Sequence, residues 1–219
     1  MPPLFWSLLI VAAPQSPPAG GLFARHAVSV GEGLRWQGRT DGPLSGRLDV
    51  PSPDGRSILS VRYRETGSEG AGFGVVGRYR LSGAAGQAIV PFATTIGDVL
   101  WSPDSRSVAL SLSGGGLSGV YDLFVLGRSG SARPISSPFR RRLHPPPGCD
   151  LGRFSNVAAV AWLSKNELLV VARQAYEDNC VERNRARFFV YDVAKRRIRR
   201  SFTLPQARRA FGRSFGSLI

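Results

Sequence analysis

Short apolar runs along the chain are separated by turns rich in glycine, proline, serine and aspartate. Runs such as residues 57–63 and 121–126 are rich in β-branched and aromatic side chains, which favour strands. Few stretches show the 3.6-residue period that is typical of an amphipathic helix. The pattern therefore predicts an all-β chain built from many short strands.

One turn recurs with a long period. Ser52-Pro-Asp-Gly55 and Ser102-Pro-Asp-Ser105 begin 50 residues apart, and each lies between two strand-like runs. A third copy is degenerate: residues 163–167 replace the turn after Trp162, and Asn166 is expected to supply the turn residue. A repeat of this length made of short strands is typical of stacked four-stranded blades. It predicts blades at approximately 47–90, 97–136 and 157–203, with a C-terminal tail at 204–219.

The repeat predicts two further packing features. Trp101 and Trp162 each end the first strand of a blade, so they are expected to be buried at equivalent positions. Three blades leave an open sheet edge, which is an association hazard. We therefore expect residues 22–44 to add at least two strands, with Leu34, Trp36 and Leu44 making the apolar contacts. A homodimer through the open edge is the alternative.

The Ser-Pro-Asp-Gly turn, the β-run after it and the Tyr121-Asp-Leu-Phe-Val125 strand resemble the TolB-type, WD-repeat-like β-propeller repeat. The resemblance covers residues 47–203. It implies a small or incomplete β-propeller of about three to four TolB-like four-stranded blades. Similar blades occur in periplasmic Tol-system proteins and in the N-terminal propellers of prolyl-oligopeptidase-like peptidases.

The chain carries a formal net charge of +14. Lys165 and Lys195 are the only lysines among 29 basic residues, so the other 27 are arginine, a bias that GC-rich codons partly explain. The densest charged segment, which we call the basic run, consists of Lys195, Arg196, Arg197, Arg199 and Arg200. It is either a solvated hairpin at a blade edge or a contact for an anionic surface such as a membrane. Nucleic acid is disfavoured, because the neighbouring aromatic residues are expected to face the core.

Residues 1–20 combine a short apolar run with a small-residue zone, which predicts a secretory signal peptide followed by a propeller-like domain at 21–219. An apolar N-terminal strand is the alternative. Cys149 and Cys180 lie in two insertions, at 137–156 and 174–186. In an exported protein they would form one disulfide, whereas in the cytosol they would be idle thiols. The expected location is periplasmic or secreted.

Apart from the repeat, the sequence shows no motif that is typical of a catalytic site. The sequence contains no Gly-x-Ser-x-Gly elbow or P-loop ending, and His26 and His144 are not spaced with the cysteines as zinc ligands. We expect no enzyme activity and no cofactor or metal. The prediction is a non-enzymatic binding or scaffold protein of the bacterial cell envelope, which contacts a protein partner through rim loops around Cys149 and Cys180. The alternative is a propeller module that acts with a separate hydrolase.

Overall fold

The computed structural model of the chain describes residues 27–37, 45–66, 74–83, 87–90, 97–113, 121–127, 134–143, 155–174 and 186–212. Thirteen strands and three short helices lie in these ranges. In chain order they are β1 (Ala27–Ser29), α1 (Val30–Gly33), β2 (Arg35–Gln37), β3 (Ser45–Pro51), β4 (Ile58–Thr66), β5 (Gly74–Leu81), β6 (Gln87–Val90), β7 (Gly97–Trp101), β8 (Ser107–Ser113), β9 (Tyr121–Gly127), α2 (Ser137–Arg140), β10 (Ser155–Trp162), β11 (Glu167–Gln174), β12 (Arg187–Asp192), β13 (Arg197–Thr203) and α3 (Leu204–Phe211). The predicted all-β class is confirmed.

The strands form three antiparallel sheets. The first sheet has the order β2-β3-β4-β5-β6, the second β1-β7-β8-β9, and the third β10-β11-β12-β13. Each sheet contains one of the three predicted repeats. In the second repeat, an isolated antiparallel bridge joins Phe124 of β9 to Pro134. The fold is therefore all-β, with three sheets of four or five strands.

Buried side chains arrange the sheets in layers. One apolar cluster joins the first and second sheets through residues such as Tyr79 and Leu110. A second cluster joins the opposite face of the second sheet to the third sheet through Leu123 and Phe189. A third cluster lies between the far face of the third sheet and α3, where Phe188 and Ala207 are buried. The second sheet therefore lies between the other two, and α3 covers the end of the stack.

The sequence of each strand reflects the number of its faces that are buried. Strands with apolar contacts on both faces, such as β7 and β12, are nearly continuous apolar runs. In contrast, β4 and β5 alternate between buried and more exposed positions along their described side chains. This alternation is typical of an antiparallel sheet with one solvated face. The first sheet thus has an outer face that no other described element covers.

The two Ser-Pro-Asp turns are built alike. The hydroxyl of Ser52 donates to Asp54 Oδ1 at 2.6 Å and accepts a hydrogen bond from the backbone N–H of Ser57 at 2.9 Å. Ser102 makes the same two bonds, including the one to Asp104 Oδ1 at 2.7 Å. Side chains that bond to nearby backbone in this way favour turns over continued strands. The shared hydrogen bonds explain why this segment is the most regular part of the repeat.

The third turn differs from its prediction in the residue that organises it. Ser164 Oγ accepts hydrogen bonds from the backbone N–H groups of Asn166 at 3.3 Å and Glu167 at 3.1 Å. The serine hydroxyl, rather than Asn166, thus takes the role that Ser52 has in the first turn. Asn166 contributes its carbonyl oxygen, which accepts from the N–H of Val193 at 2.8 Å.

The N-terminal segment adds strands to two sheets, as predicted. β1 pairs with β7 at the edge of the second sheet, and β2 pairs with β3 at the edge of the first. Leu34 packs against the first apolar cluster. Trp36 departs from the expectation, because it is 43% exposed although its ring lies 6.3 Å from that of Tyr63. Leu44 lies outside the described residues.

The two predicted tryptophans occupy equivalent places. Trp101 is the last residue of β7 and is 2% exposed in the cluster toward the first sheet. Trp162 is the last residue of β10 and is 9% exposed in the cluster toward the second sheet. Each indole thus faces the preceding sheet, which confirms the predicted register. They differ in polar contacts: Trp162 Nε1 donates to the carbonyl oxygen of Leu100 at 3.0 Å, whereas Trp101 Nε1 is buried without a partner among the described residues.

The C-terminal tail contains a short helix with well-defined ends. Thr203 and Gln206 form a capping box at its start, in which each side chain accepts from the other residue's backbone N–H. Gly212 follows its last turn with a φ of 92°. Ala207 is buried, and Leu204 and Phe211 pack beside it on the third sheet. The helix is therefore short because its capping residues fix both ends.

Candidate anion-binding face of the first sheet

The outer face of the first sheet is rich in arginine. On β4, Val61 and Tyr63 are buried, while the intervening positions are Arg62 and Arg64. On β5, Tyr79 is buried between two more arginines. Successive side chains of a strand point to opposite faces, so the arginines share the solvated face. We call this surface the arginine face; its arginines are Arg35, Arg47, Arg62, Arg64, Arg78 and Arg80.

Strand register brings four of these arginines into one row. Arg35 of β2 is opposite Arg47 of β3, Arg47 is opposite Arg62 of β4, and Arg62 is opposite Arg78 of β5. Neighbouring strands are about 4.8 Å apart, so the row extends over roughly 14 Å. Like charges directly opposite each other destabilise a sheet. Repulsion within the row therefore destabilises the sheet, and an anion bound against the row would reduce that repulsion.

Asp49 is the single carboxylate on this face among the described residues. Its Oδ2 accepts from Arg47 Nη2 at 2.7 Å and from Arg47 Nε at 3.1 Å, and its Oδ1 accepts from Arg62 Nη1 at 3.1 Å. The hydrogen bonds from Arg47 are the main cause that lowers the pKa of Asp49 to about 2, with smaller contributions from Ser60 and Arg62. Asp49 is thus ionised at neutral pH.

The other four arginines are not neutralised in the same way. Within the described part of the chain, no salt bridge joins Arg35, Arg64, Arg78 or Arg80 to a carboxylate. Six guanidinium groups and one carboxylate give the arginine face a strongly positive potential. Guanidinium groups are planar donors that match carboxylate and phosphate oxygens in pairs.

The arginine row ends in a shallow depression of about 450 Å³. Its lining residues come from α1, β2 and β3: Gly33, Arg35, Gln37, Arg47, Leu48 and Asp49. Arg35 and Arg47 are directly opposite each other there, and Gln37 is two residues along the same strand. The depression thus offers two guanidinium groups and one amide to an oxyanion.

The basic run predicted from the sequence has a different setting. It spans the turn between β12 and β13 and the exposed edge strand β13 of the third sheet. Arg199 forms a salt bridge with Glu167 at 2.9 Å, and the guanidinium carbon of Arg200 lies 5.9 Å from the centre of the Phe202 ring. The backbone N–H of Lys195 bonds to Asp192 Oδ1 at 2.9 Å. The run is therefore an edge hairpin whose charges are partly engaged within the sheet.

The predicted disulfide and the rim loops around it cannot be placed on this fold. Cys149, Cys180, His26 and His144 all lie outside the described residues. Of the first insertion, residues 137–143 and 155–156 are described; the first of these stretches contains α2, and the second begins β10. Arg140 of α2 pairs with Asp122 at 2.9 Å and donates to two backbone carbonyl groups, which ties α2 to the second and third sheets. Among the described side chains, no three His, Cys, Asp or Glu residues cluster as metal ligands would.

A pair of buried tyrosines lies beneath the arginine face. The hydroxyls of Tyr63 and Tyr79 are hydrogen-bonded to each other, with the rings edge-to-face at 5.9 Å. Burial raises the pKa of Tyr63 to about 12, and burial raises that of Tyr79 further. Both hydroxyls therefore stay protonated at neutral pH. Their hydrogen bond satisfies two polar groups inside the apolar layer, which is a packing role.

The arginine face is not among the sites that the sequence predicts. Part of the signal was present, because Val61-Arg-Tyr-Arg64 and Gly77-Arg-Tyr-Arg80 repeat one alternating pattern on two predicted strands. The row itself depends on strand register, which aligns Arg35 and Arg47 with these strands although they are distant in sequence. A dense run of charge in the sequence therefore indicates the basic run and not the arginine face, whose six arginines come from four separate strands.

Comparison of the chain with protein-family models, curated proteins and solved structures found no match. Within the described ranges, no helix has both the length and the apolar character needed to cross a bilayer.

Proposed function

We propose that this chain is a non-enzymatic binding or scaffold protein of the bacterial cell envelope, and that it attaches to an anionic partner through the arginine face. The observation that carries the proposal is the exposed sheet face with six arginines and one carboxylate. A surface of one charge sign attracts partners of the opposite sign and accelerates their association.

The fold supports a scaffold role. Three stacked antiparallel sheets with two matching Ser-Pro-Asp turns support the resemblance to TolB-type propeller blades, here as an incomplete propeller. Regular sheets hold the arginines at fixed spacing, so little order has to be gained when a partner binds. In this proposal the protein is exported after removal of residues 1–20, Cys149 and Cys180 form a disulfide, and their loops contact a protein partner.

Two variants with equal net charge test the use of the arginine face. One replaces Arg47, Arg62 and Arg78 by Gln, and the other replaces Lys195, Arg197 and Arg200 of the basic run by Gln. Each loses three positive charges. We expect wild-type protein to be retained on immobilised dextran sulfate and the face variant to elute at clearly lower salt, because released counterions scale with the charges in contact. The basic-run variant should elute close to wild type.

Circular dichroism and a denaturant midpoint show whether both variants are folded. Equal losses of retention in the two folded variants would mean that net charge, and not the arginine face, governs binding. That result would overturn the proposed site.

A further inference from the structure

The arginine face also carries exposed apolar side chains. Ile89 of β6 is opposite Arg78 and is 52% exposed. Ile58, at the start of β4, is 44% exposed and lies on the same face as Arg62, four residues further along the strand. From this combination we infer that the partner of the arginine face is the surface of an anionic phospholipid bilayer. The inference rests on the proposed function and names its ligand class.

The dimensions of the face suit a planar partner. Five strands about 4.8 Å apart, with about 6.7 Å between same-face residues along a strand, give an area of roughly 20 Å by 20 Å. Ile89 lies on edge strand β6, and Ile58 lies at one end of β4, so both are at the border of the array. In this arrangement the central arginines contact lipid phosphates. The isoleucines at the border insert into the boundary between the headgroups and the acyl chains. Charge attraction and buried apolar area add together in such interfacial binding.

The same residues fit single-stranded nucleic acid less well. Single strands bind on surfaces where aromatic rings stack against the bases. Among the described residues the exposed large apolar side chains are Trp36, Ile58 and Ile89. Trp36 is opposite Gly46, and both alternate with the pair Arg35 and Arg47, so Trp36 lies on the other face of the sheet. The arginine face thus presents isoleucines where a surface for single-stranded nucleic acid would need aromatic rings.

Vesicle sedimentation with the full chain tests this inference. The probes are vesicles of phosphatidylcholine alone and vesicles of phosphatidylcholine with phosphatidylglycerol. We expect wild-type protein to sediment with the anionic vesicles only. The double variant Ile58→Ser, Ile89→Ser should lose about tenfold in vesicle partition, as expected when two partly buried isoleucines are removed. Its retention on dextran sulfate should be unchanged, because its charges are unchanged.

A matched control removes apolar area from the opposite face. Trp36→Ser, checked for folding by circular dichroism, should sediment like wild type. If the isoleucine variant sediments like wild type, or if wild type binds dextran sulfate and not the anionic vesicles, the bilayer inference is wrong and the proposed function stands. Tighter binding to a duplex oligonucleotide than to anionic vesicles of equal charge concentration would also overturn it. Failure to bind both dextran sulfate and vesicles would overturn inference and proposed function together.

Discussion

The outer faces of the first and third sheets occupy corresponding places at the two ends of the stack and have opposite chemistry. On the third sheet, Phe188 and Val190 point outward and are buried under α3. On the first sheet, the outward-pointing side chains include half-buried Arg62 and exposed Arg78. The terminal repeats of a stack need an outer face that is polar or covered, so that no apolar surface is exposed to water. This chain uses a helix as a cover at one end and a charged sheet face at the other.

The difference between the two outer faces bears on whether the sheets can form a closed ring of blades. A closed ring of blades would bring the first and last sheets together. Packing the arginine face against an apolar sheet would strip water from six guanidinium groups that have one carboxylate between them, and burial of unpaired charge is costly. The third sheet already has α3 on its far face. These observations favour the incomplete form of the proposed propeller, with the first sheet free to meet a partner.

The strongest test of the contrast replaces one side chain at each end. Phe188→Ala removes a fully buried ring beneath α3 and should lower the free energy of unfolding by about 3–5 kcal/mol. Arg78→Ala, on the exposed arginine face, should change it by less than about 0.5 kcal/mol. Urea unfolding followed by circular dichroism measures both. Similar losses in the two variants would mean that the first sheet is covered in solution, and the contrast between the ends would be lost.

Sequence and structure agree best where local chemistry decides the outcome. The hydrogen bonds of the Ser-Pro-Asp turns lie within each turn. Ser52 and Ser102 therefore allow the turns of two sheets to be predicted from the sequence alone. The buried tryptophans follow from the same register. The arginine face could not be derived in this way, because its row depends on which residues of β2, β3, β4 and β5 become neighbours. Pairing register is a tertiary property, and it decides which charges meet.

A smaller effect tests how the cover of the third sheet is held. Thr203→Ala removes the N-cap hydroxyl of α3 and should cost about 1 kcal/mol of unfolding free energy. Ser201→Ala is the matched control, since it removes an exposed hydroxyl from the same strand and should cost less than about 0.5 kcal/mol. Amide hydrogen exchange should show faster opening of residues 204–211 in the Thr203 variant alone. Equal exchange in both variants would mean that packing on the sheet, and not the cap, holds the helix.

The smallest expected effect concerns the carboxylate within the arginine row. The folded pKa of Asp49, at about 2, lies below its ordinary value of 3.8, so Asp49 favours the folded state above pH 4 and loses this contribution as pH falls through 2. Because the pair is solvent-accessible and screened, the contribution should stay below about 1 kcal/mol. Carbon-detected NMR titration should place the Asp49 midpoint near pH 2.

Arg47→Gln should raise that midpoint toward 3.8, because Arg47 supplies the largest lowering contribution to the pKa of Asp49. Arg62→Gln should also raise it, because Arg62 lowers the pKa of Asp49 through both a hydrogen bond and its charge. Adding salt should move the wild-type midpoint in the same direction, because the charges are exposed and screened. A wild-type midpoint near 3.8 would mean that Asp49 does not pair with Arg47 in solution. Asp49 would still be ionised at neutral pH, so the net charge of the arginine face would be unchanged, but Arg47 and Arg62 would be free to bind an external anion.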